Sequence, residues 1–332
     1  RSTPLYSSAA SDVYKRQIGT HLVTSLKKQG HYVVGVDLKY PEYTNTDADE
    51  FHILDLRNQF AVEQLISSDL QEVYQLAADM GGAGYIFSGK NDADIMYNSA
   101  TINLNIIRAM HKKDVKRIFY SSSACIYPAH NQKDSNNILL SEDSAYPADP
   151  DSEYGWEKLF SERLLLSFAK NYNIHVRIAR FHNIFGPLGS WNNGKEKAPA
   201  ALCRKIALCE EDGEIEVWGS GNQTRSFLYI DECIQGIHKI MHSDCEFPLN
   251  LGSERMISIN NLALLIGNIV GKNVNVKNVP GPTGVMARTS HNKFIEQHTG
   301  WKPNEDLETG LKHTYDWIKK QIASINHVRK HT

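Results

Sequence analysis

The residues that point most directly to chemistry are Tyr154 and Lys158, which stand four positions apart in the run Tyr-Gly-Trp-Glu-Lys. Side chains at that spacing share one face of a helix, where a lysine ammonium group favours the phenolate form of tyrosine. Such a tyrosine can take a proton from a sugar hydroxyl while a nicotinamide ring takes the hydride. Because this pattern is common among surface residues, its interpretation depends on the surrounding elements.

A serine-rich strand end precedes this pair. Residues Arg117 to Ser123 are predicted to form a strand, and Ala124 and Cys125 follow it. We expect Ser123 to hydrogen-bond a substrate hydroxyl or Tyr154, although serine also caps strand ends. A thiol can exchange protons reversibly, so Cys125 is a candidate acid or base, and the alternative is a small buried residue.

The segment from Ile18 to Asp37 has the pattern of the second half of a dinucleotide-binding β-α-β unit. An amphipathic helix ends at Gly30, and a buried strand then ends at Asp37. An acid at this place accepts hydrogen bonds from the adenosine ribose and disfavours a 2′-phosphate, so we expect NAD rather than NADP. Gly19 stands where the last glycine of the phosphate-binding fingerprint would lie.

Residues 1–17 do not fit this unit, which should begin with an apolar strand and a glycine-rich turn. They show no apolar strand pattern, and they contain no glycine. We therefore expect them to be foreign to the fold, so that the chain lacks much of its pyrophosphate cradle.

Two later strands supply further candidates for cofactor contact. One strand ends at Asp55 and Leu56, which we expect at the edge of the adenine. The next ends at Ala77 and Ala78, and the run Asp-Met-Gly-Gly-Ala-Gly follows it. Small residues at the carboxyl end of a parallel strand let a cofactor or substrate approach the backbone, and the alternative is an ordinary loop.

Strands and helices alternate up to residue 187, which predicts an α/β fold with a Rossmann-type doubly wound parallel sheet. The pattern then changes to a loop rich in Gly, Asn and Lys. We expect an NAD-binding domain over residues 18–187 and 226–245. A smaller C-terminal α/β substrate-binding domain is expected over residues 188–225 and 246–325.

The composition is that of an ordinary globular protein, with 41% apolar and 22% charged residues. A net charge of −2 disfavours a dedicated nucleic-acid binder. We expect neither a membrane span nor a signal peptide, because no apolar run has the required pattern. The five cysteines show no metal-binding spacing and are odd in number, which predicts a reduced, cytoplasmic protein without a metal site.

Together these residues resemble the extended short-chain dehydrogenase/reductase family that acts on nucleotide-sugars. The shared features are the strand that ends in Asp37, the alanine pair, the triple serine, the Tyr-x-x-x-Lys pair and the segment 180–187. The similarity runs from residue 18 to residue 322. More specific segments resemble the branch that epimerises GDP-mannose at C3 and C5, and they cover residues 77–84, 122–128, 194–201, 223–227 and 280–285.

The resemblance implies an isomerase with tightly bound NAD and a substrate that is GDP-mannose or a related nucleotide-sugar. Tyr154, with Lys158 and Ser123, would serve a transient oxidation at C4, which makes the protons at C3 and C5 removable. The cysteine and lysine that form the acid/base pair of the family correspond to Cys125 and Lys197. Reduction at C4 then restores the alcohol and yields GDP-L-galactose, or GDP-L-gulose when C5 alone inverts.

The resemblance also implies a set of substrate contacts. Lys205, Arg225 and Arg288 are candidates for the diphosphate, because arginine forks match phosphate oxygens. Met286 stands where the family often has a second arginine, and Lys195 is a neighbour that could be mistaken for the acid/base lysine. The other expected contacts are Gly82, Ala83, Ser123, Ala124, Cys125, Asn183, Glu196, Lys197, Ala198, Gln223 and Ser226.

Three alternatives stay open. A GDP-L-fucose synthase would pair the cysteine with a histidine and use NADPH. A 4-epimerase or 4,6-dehydratase would make Cys125 incidental, and a non-catalytic nucleotide-sugar-binding relative would tolerate the missing glycine turn. His182 could be taken for a catalytic residue, but a structural role is the simpler interpretation.

Family members of this shape commonly form homodimers through two helices, here expected at residues 92–111 and 154–172.

Overall fold

The computed structural model describes residues 4–7, 13–134, 138 and 140–331. Among these residues, no helix combines the length and the apolar character needed to cross a membrane. The strands are β1 (Pro4–Ser7), β2 (Val34–Asp37), β3 (Glu50–Ile53), β4 (Glu72–Gln75), β5 (Arg117–Ser123), β6 (His175–Phe181), β7 (Ile184–Phe185), β8 (Gly213–Trp218), β9 (Thr224–Ser226), β10 (Leu228–Tyr229), β11 (Leu249–Leu251), β12 (Met256–Ser258), β13 (Val274–Val279) and β14 (Ala287–Arg288). The helices are α1 (Val13–Lys28), α2 (Gln59–Leu65), α3 (Ala83–Ile86), α4 (Asp92–Lys112), α5 (Glu153–Tyr172), α6 (Ala198–Leu208), α7 (Ile230–Met241), α8 (Ile259–Ile269), α9 (Lys293–Thr299) and α10 (Leu307–His331).

Seven strands form one sheet in the order β11-β6-β5-β4-β1-β2-β3, and every neighbouring pair runs parallel. The chain builds the sheet outward in both directions from β1. The crevice between the carboxyl ends of β1 and β4 is therefore a topological switch point, where open α/β sheets bind their ligands. The predicted Rossmann-type doubly wound parallel sheet is confirmed.

Alternate side chains of the central strands enter hydrophobic cores on opposite faces of this sheet. Phe119 of β5 belongs to the core that contains Leu22 of α1 and Ile237 of α7. Its neighbour Ile118 belongs to the core that contains Ile106 of α4. Burial on both faces explains why β5 is a continuous apolar run until its serine-rich end.

Strand β1 lies at the centre of the sheet, between β2 and β4. The expectation that residues 1–17 contain no strand was wrong for Pro4–Ser7. Parallel neighbours on both sides offer backbone hydrogen bonds to this segment, so its tertiary context outweighs a weak local pattern. Helix α1 likewise begins at Val13, ahead of the expected start at Ile18. The rest of the segment expected to be foreign, residues 1–3 and 8–12, lies outside the described residues.

The other strands form small sheets, in which β8 pairs with β13, β9 lies between β12 and β14, and β10 pairs with β7. Helix α6 packs against α8 and α10 in this part of the fold, whereas α7 returns to pack against α1 and β6. Strand β11 was assigned by sequence to the smaller domain, but it pairs with β6 at the edge of the large sheet. Its short buried run could not reveal which sheet it joins.

Candidate active site

The turn after β5 places Ser123 and Cys125 side by side. Ser123 ends the strand and caps the following 3₁₀ turn, because its Oγ accepts a hydrogen bond from the Cys125 N–H at 3.1 Å. Both residues are less than a tenth exposed, at 9% and 8%. Both nevertheless line one large cavity, so the capping role and a role toward a ligand are compatible.

Helix α5 reaches this turn because Gly155 has no side chain. Ser152 caps the helix by accepting a hydrogen bond from the Gly155 N–H at 3.3 Å. A Cβ on Gly155 would overlap the carbonyl oxygen of Cys125 and would lie 2.8 Å from the Cβ of Pro150. The glycine therefore lets the start of the helix close against the turn, and Tyr154 joins Cys125 in one buried cluster.

Tyr154 and Lys158 share the inner face of α5, as their spacing predicts. Tyr154 is 4% exposed, and its hydroxyl donates to the sulfur of Met80 at 3.3 Å. The Lys158 ammonium lies 5.8 Å from the centre of the Tyr154 ring. It donates to the Tyr120 hydroxyl at 3.0 Å and to the Ser121 carbonyl at 3.1 Å. Burial raises the pKa of Tyr120 well above its ordinary value, so Tyr120 stays neutral.

A buried polar network supports Lys158, and sequence reasoning did not find it. The Glu157 carboxylate lies 4.0 Å from the ammonium group. Glu157 accepts from Asn103 of α4 at 3.0 Å and from Ser161 at 2.7 Å. The available signal was Asn103 in the middle of a helix whose buried residues are mostly apolar. This network ties α4 to α5 behind the proposed redox tyrosine.

Arg288 contacts the Cys125 thiol directly. Its Nη1 donates to the sulfur at 3.0 Å, its Nη2 to Asp151 at 2.9 Å and its Nε to Gln132 at 2.6 Å. Burial opposes the positive charge, but the thiol and Asp151 outweigh it and raise the pKa of Arg288. The sequence placed Arg288 at the diphosphate. The contact places Arg288 beside Cys125, and its diphosphate role stays a prediction.

A cavity of about 380 Å³ collects most of the predicted site. Its volume is in the range of small-molecule sites. Lys158 and Ser226 are fully buried and do not line the cavity, while the side chain of Ala83 is outside the described part of the chain. Sequence reasoning missed other residues of the wall, including Phe87, which follows α3, and Trp218, which ends β8. The predicted residues that line the cavity are Gly82, Ser123, Ala124, Cys125, Tyr154, Asn183, Glu196, Lys197, Ala198, Lys205, Gln223, Arg225 and Arg288.

Lys197 enters this cavity from the smaller domain. It is the residue before α6, and its carbonyl accepts from the Ala201 N–H at 2.9 Å. Pro199 in the first helical turn favours a helix start at this point. The neighbouring Glu196 accepts from Arg204 at 2.9 Å, which fixes the loop against its own helix.

The two other predicted diphosphate residues also lie in the cavity wall. Arg225 donates to the carbonyls of Thr283 at 3.2 Å and Val285 at 2.6 Å, which holds the loop before β14. Burial, with the nearby charge of Arg288, lowers the pKa of Arg225 to about 10. Burial also lowers the pKa of Lys205, whose ammonium donates to the Glu216 carbonyl at 2.6 Å. A pKa of about 10 keeps Arg225 cationic at neutral pH.

His182 has the structural role expected for it. It is fully buried, and its Nε2 lies 2.8 Å from Asn250 Oδ1. Burial lowers the pKa of His182 to about 3, so the ring is neutral at physiological pH.

The carboxyl edge of the large sheet carries the residues predicted for the cofactor. Asp37 ends β2, and Ala77 and Ala78 follow β4 in full burial. Asp55 is paired with Arg57 at 2.7 Å, and that hydrogen bond lowers the pKa of Asp55. The fully buried Leu56 follows Asp55, and Gly19 lies within α1.

These residues fit NAD in type and position. Asp37 would accept the adenosine ribose hydroxyls, the two alanines would leave room for the dinucleotide, and Lys158 would face its nicotinamide half. Arg16 already occupies the Asp37 carboxylate that the ribose would use. Arg16 donates to both carboxylate oxygens of Asp37, each at 3.0 Å. We therefore expect Arg16 to compete with the ribose hydroxyls for Asp37.

The sequence profile of the NAD dependent epimerase/dehydratase family matches residues 15–252, and the chain belongs to that family. Among its relatives, GDP-mannose 3,5-epimerase of Arabidopsis thaliana is 44% identical over 309 residues, which are 92% of this chain and 80% of the plant protein. GDP-L-fucose synthase of Sinorhizobium fredii is 26% identical over 317 residues, or 93% of this chain and 95% of that protein. The predicted resemblance is thereby confirmed.

A solved structure shows the same fold. UDP-glucose 4-epimerase of Thermotoga maritima superposes with a TM-score of 0.83, over 96% of this chain and 99% of that chain, at 22% sequence identity. At that identity the likeness concerns the fold alone.

Proposed function

We propose that this chain is a nucleotide-sugar epimerase that inverts GDP-mannose at C3 and C5 and forms GDP-L-galactose. The observation that carries the proposal is the meeting of Cys125, Lys197 and Tyr154 around one cavity, although they come from separate parts of the chain. The similarity to plant GDP-mannose 3,5-epimerase supports the choice of substrate.

The proposed chemistry begins at C4, because the protons at C3 and C5 are not acidic until a neighbouring carbon is a ketone. Tyr154 in its phenolate form, which Lys158 favours, takes the proton of the C4 alcohol and becomes a phenol, and Ser123 holds that alcohol by a hydrogen bond. NAD supplies the hydride acceptor for this step and the hydride donor for its reversal. The net reaction therefore changes configuration without changing oxidation state.

Cys125 and Lys197 provide the acid/base pair of the proposal. Cys125 removes a proton from the carbon next to the ketone, and Lys197 returns one from the opposite face of the enolate. Inversion needs groups on both faces, and the two residues belong to different elements, the turn after β5 and the start of α6. Arg288 fixes the position of the sulfur by its hydrogen bond at 3.0 Å.

The rest of the cavity wall would bind the substrate. We assign Arg225, Lys205 and Arg288, which all line the cavity, to the diphosphate. The other predicted contacts to the substrate are Gly82, Ala83, Ala124, Asn183, Glu196, Ala198, Gln223 and Ser226.

The alternative functions make different demands on these residues. A GDP-L-fucose synthase-like epimerase-reductase consumes NADPH, which Asp37 at the ribose position disfavours. A 4-epimerase or 4,6-dehydratase needs Tyr154 but no acid/base pair across the ring. The presence of both Cys125 and Lys197 in the cavity favours the 3,5-epimerase.

We further propose a homodimer in a reducing compartment. The outer faces of α4 and α5 expose large apolar side chains, including Tyr97 at 70%, Leu104 at 44% and Phe160 at 47%. Such a face is suited to a second copy of the same pair of helices. All five cysteines are free thiols, which supports the cytoplasm as that compartment.

The test is to incubate the purified chain with GDP-mannose and saturating NAD, without NADPH, and to identify the sugar by NMR. The proposal predicts galactose configuration, with gulose as the product of inversion at C5 alone. A sugar inverted only at C4 would establish the 4-epimerase instead. A dehydrated 4-keto sugar would establish the dehydratase.

A further inference from the structure

We propose that Tyr85 is a positioning residue for Lys197 and acts through Lys195. The inference rests on the proposed function, in which Lys197 delivers a proton to the enolate. It divides the two lysines of the Lys-Glu-Lys run into one that transfers a proton and one that holds the loop.

Tyr85 is held by the segment that follows β4. Its hydroxyl donates to Asp79 Oδ1 at 3.0 Å. The other oxygen of Asp79 accepts from Asn98 of α4 at 2.7 Å, and Asp79 is 4% exposed. A Cβ on Gly81 would lie 2.7 Å from the Tyr85 Cβ, so the glycine lets the tyrosine fold back over its own loop. The phenol ring is therefore fixed at two ends.

Lys195 lies over this ring. Its ammonium group is 4.6 Å from the ring centre, which is the geometry of a cation–π contact. The backbones meet at the same place, because a Cβ on Gly82 would lie 3.1 Å from the Lys195 carbonyl oxygen and 3.3 Å from that of Glu196. The Lys-Glu-Lys loop thus rests on the 79–85 segment through a side chain and through its backbone.

The contact between Lys195 and Tyr85 determines where Lys197 lies. It follows Lys195 by two residues, and the intervening Glu196 is held from the other side by Arg204 at 2.9 Å. Contacts with Tyr85 on one side and α6 on the other hold the loop in place. Lys197 ends this loop, and its side chain lines the cavity. A displacement of about 1 Å at a reacting group can cost about 100-fold in rate. Tyr85 therefore controls inversion without touching the substrate.

The test follows two events in D₂O with GDP-mannose as the probe. One is inversion, which needs Lys197. The other is deuterium uptake with retained configuration, which needs Cys125 and solvent once C4 is oxidised but does not need Lys197. For Tyr85→Leu we expect inversion to fall about 10- to 100-fold while uptake with retention continues. Tyr85→Phe keeps the ring, so we expect its rate of inversion to fall less. Lys195→Met removes the cation and should also slow inversion. Lys195→Arg should invert faster than Lys195→Met, because arginine also binds aromatic faces.

Phe60→Leu is the matched control, because Phe60 is 81% exposed on α2 and should leave both events unchanged. If inversion and uptake with retention fall together in Tyr85→Leu, the residue is merely structural and the inference is wrong. A wild-type chain that neither inverts nor exchanges would instead contradict the proposed function. In that case the reaction of Lys197 with an amine-acylating reagent, mapped by mass spectrometry, tests Tyr85 independently. Labelling of Lys197 that rises several-fold in Tyr85→Leu while Lys205 is unchanged supports the inference, and unchanged labelling overturns it.

Discussion

Replacing Arg16 should strengthen the binding of NAD. The residue is the last but one of the segment expected to be foreign, and the G-x-G-x-x-G spacing counted back from Gly19 places the second glycine at position 16. That glycine lets the backbone approach the pyrophosphate. Arg16 instead presents a guanidinium group to Asp37, and the two side chains are 9% and 1% exposed.

The magnitude follows from the exchange of partners at Asp37. Each hydrogen bond to a charged group contributes about 1.5–3 kcal/mol net, and binding of the ribose must break two of them. The ribose hydroxyls and the hydration of the released guanidinium return much of this cost. We take the remainder as about 1.4–2.8 kcal/mol, which corresponds to about 10- to 100-fold in Kd.

Isothermal titration calorimetry with NAD provides the measurement. Arg16→Ala removes only the competition with the ribose for Asp37. Arg16→Gly also lets the backbone approach the pyrophosphate more closely. We therefore expect the affinity for NAD to rise from the wild type to Arg16→Ala and again to Arg16→Gly. Arg255→Gln is the control, because Arg255 forms an exposed ion pair with Glu308 in another part of the fold. If Arg16→Ala binds NAD as weakly as the wild type or more weakly, Arg16 does not compete with the ribose and the reasoning fails.

Two further predictions concern stability. Gly155→Ala should destabilise the chain by more than about 2 kcal/mol in urea denaturation, because the added methyl group overlaps the Cys125 carbonyl and α5 must move. Gly84→Ala, with no atom within 4 Å of the new Cβ, should be nearly neutral, and equal losses in both variants would contradict this explanation. His182 has its pKa lowered by burial from 6.5 to about 3, so below pH 6.5 the unfolded chain binds a proton that the folded chain does not. Stability should therefore fall as the pH drops from about 6.5 toward 3, less so in His182→Gln, and unfolding midpoints at pH 7.5 and 5 that shift equally in both proteins would refute the assignment.

The parts of the site that sequence could predict are those specified by local pattern. Tyr154 and Lys158 share a helix face because of their spacing, and Asp37 ends a strand because an apolar run stops there. Ser123 and Cys125 stand two positions apart in one turn. Each of these features depends on neighbours within a few residues, so its geometry follows from the period of a helix or a strand.

The parts that sequence could not predict depend on contacts between distant segments. Arg288 meets the Cys125 sulfur across 163 positions of chain, and nothing in either segment specifies that approach. Arg16 pairs with Asp37 because the sheet places α1 beside the end of β2. Strand β1 has too short and too polar a sequence to stand out, and its place is set by β2 and β4 on either side. The Arg288–Cys125 contact, the Arg16–Asp37 pair and strand β1 thus all depend on tertiary contacts.

In the proposed reaction, Cys125 and Lys197 carry protons to and from C3 and C5 after oxidation at C4. Its most direct test is an incubation of GDP-mannose with the NAD-saturated chain in D₂O, with NMR of the recovered sugar. We expect deuterium at C3 and C5 and none at C4, and we expect Cys125→Ala to bind NAD normally but to lose the exchange. Deuterium at neither carbon in the wild-type chain, or unchanged exchange in Cys125→Ala, would contradict the proposed reaction.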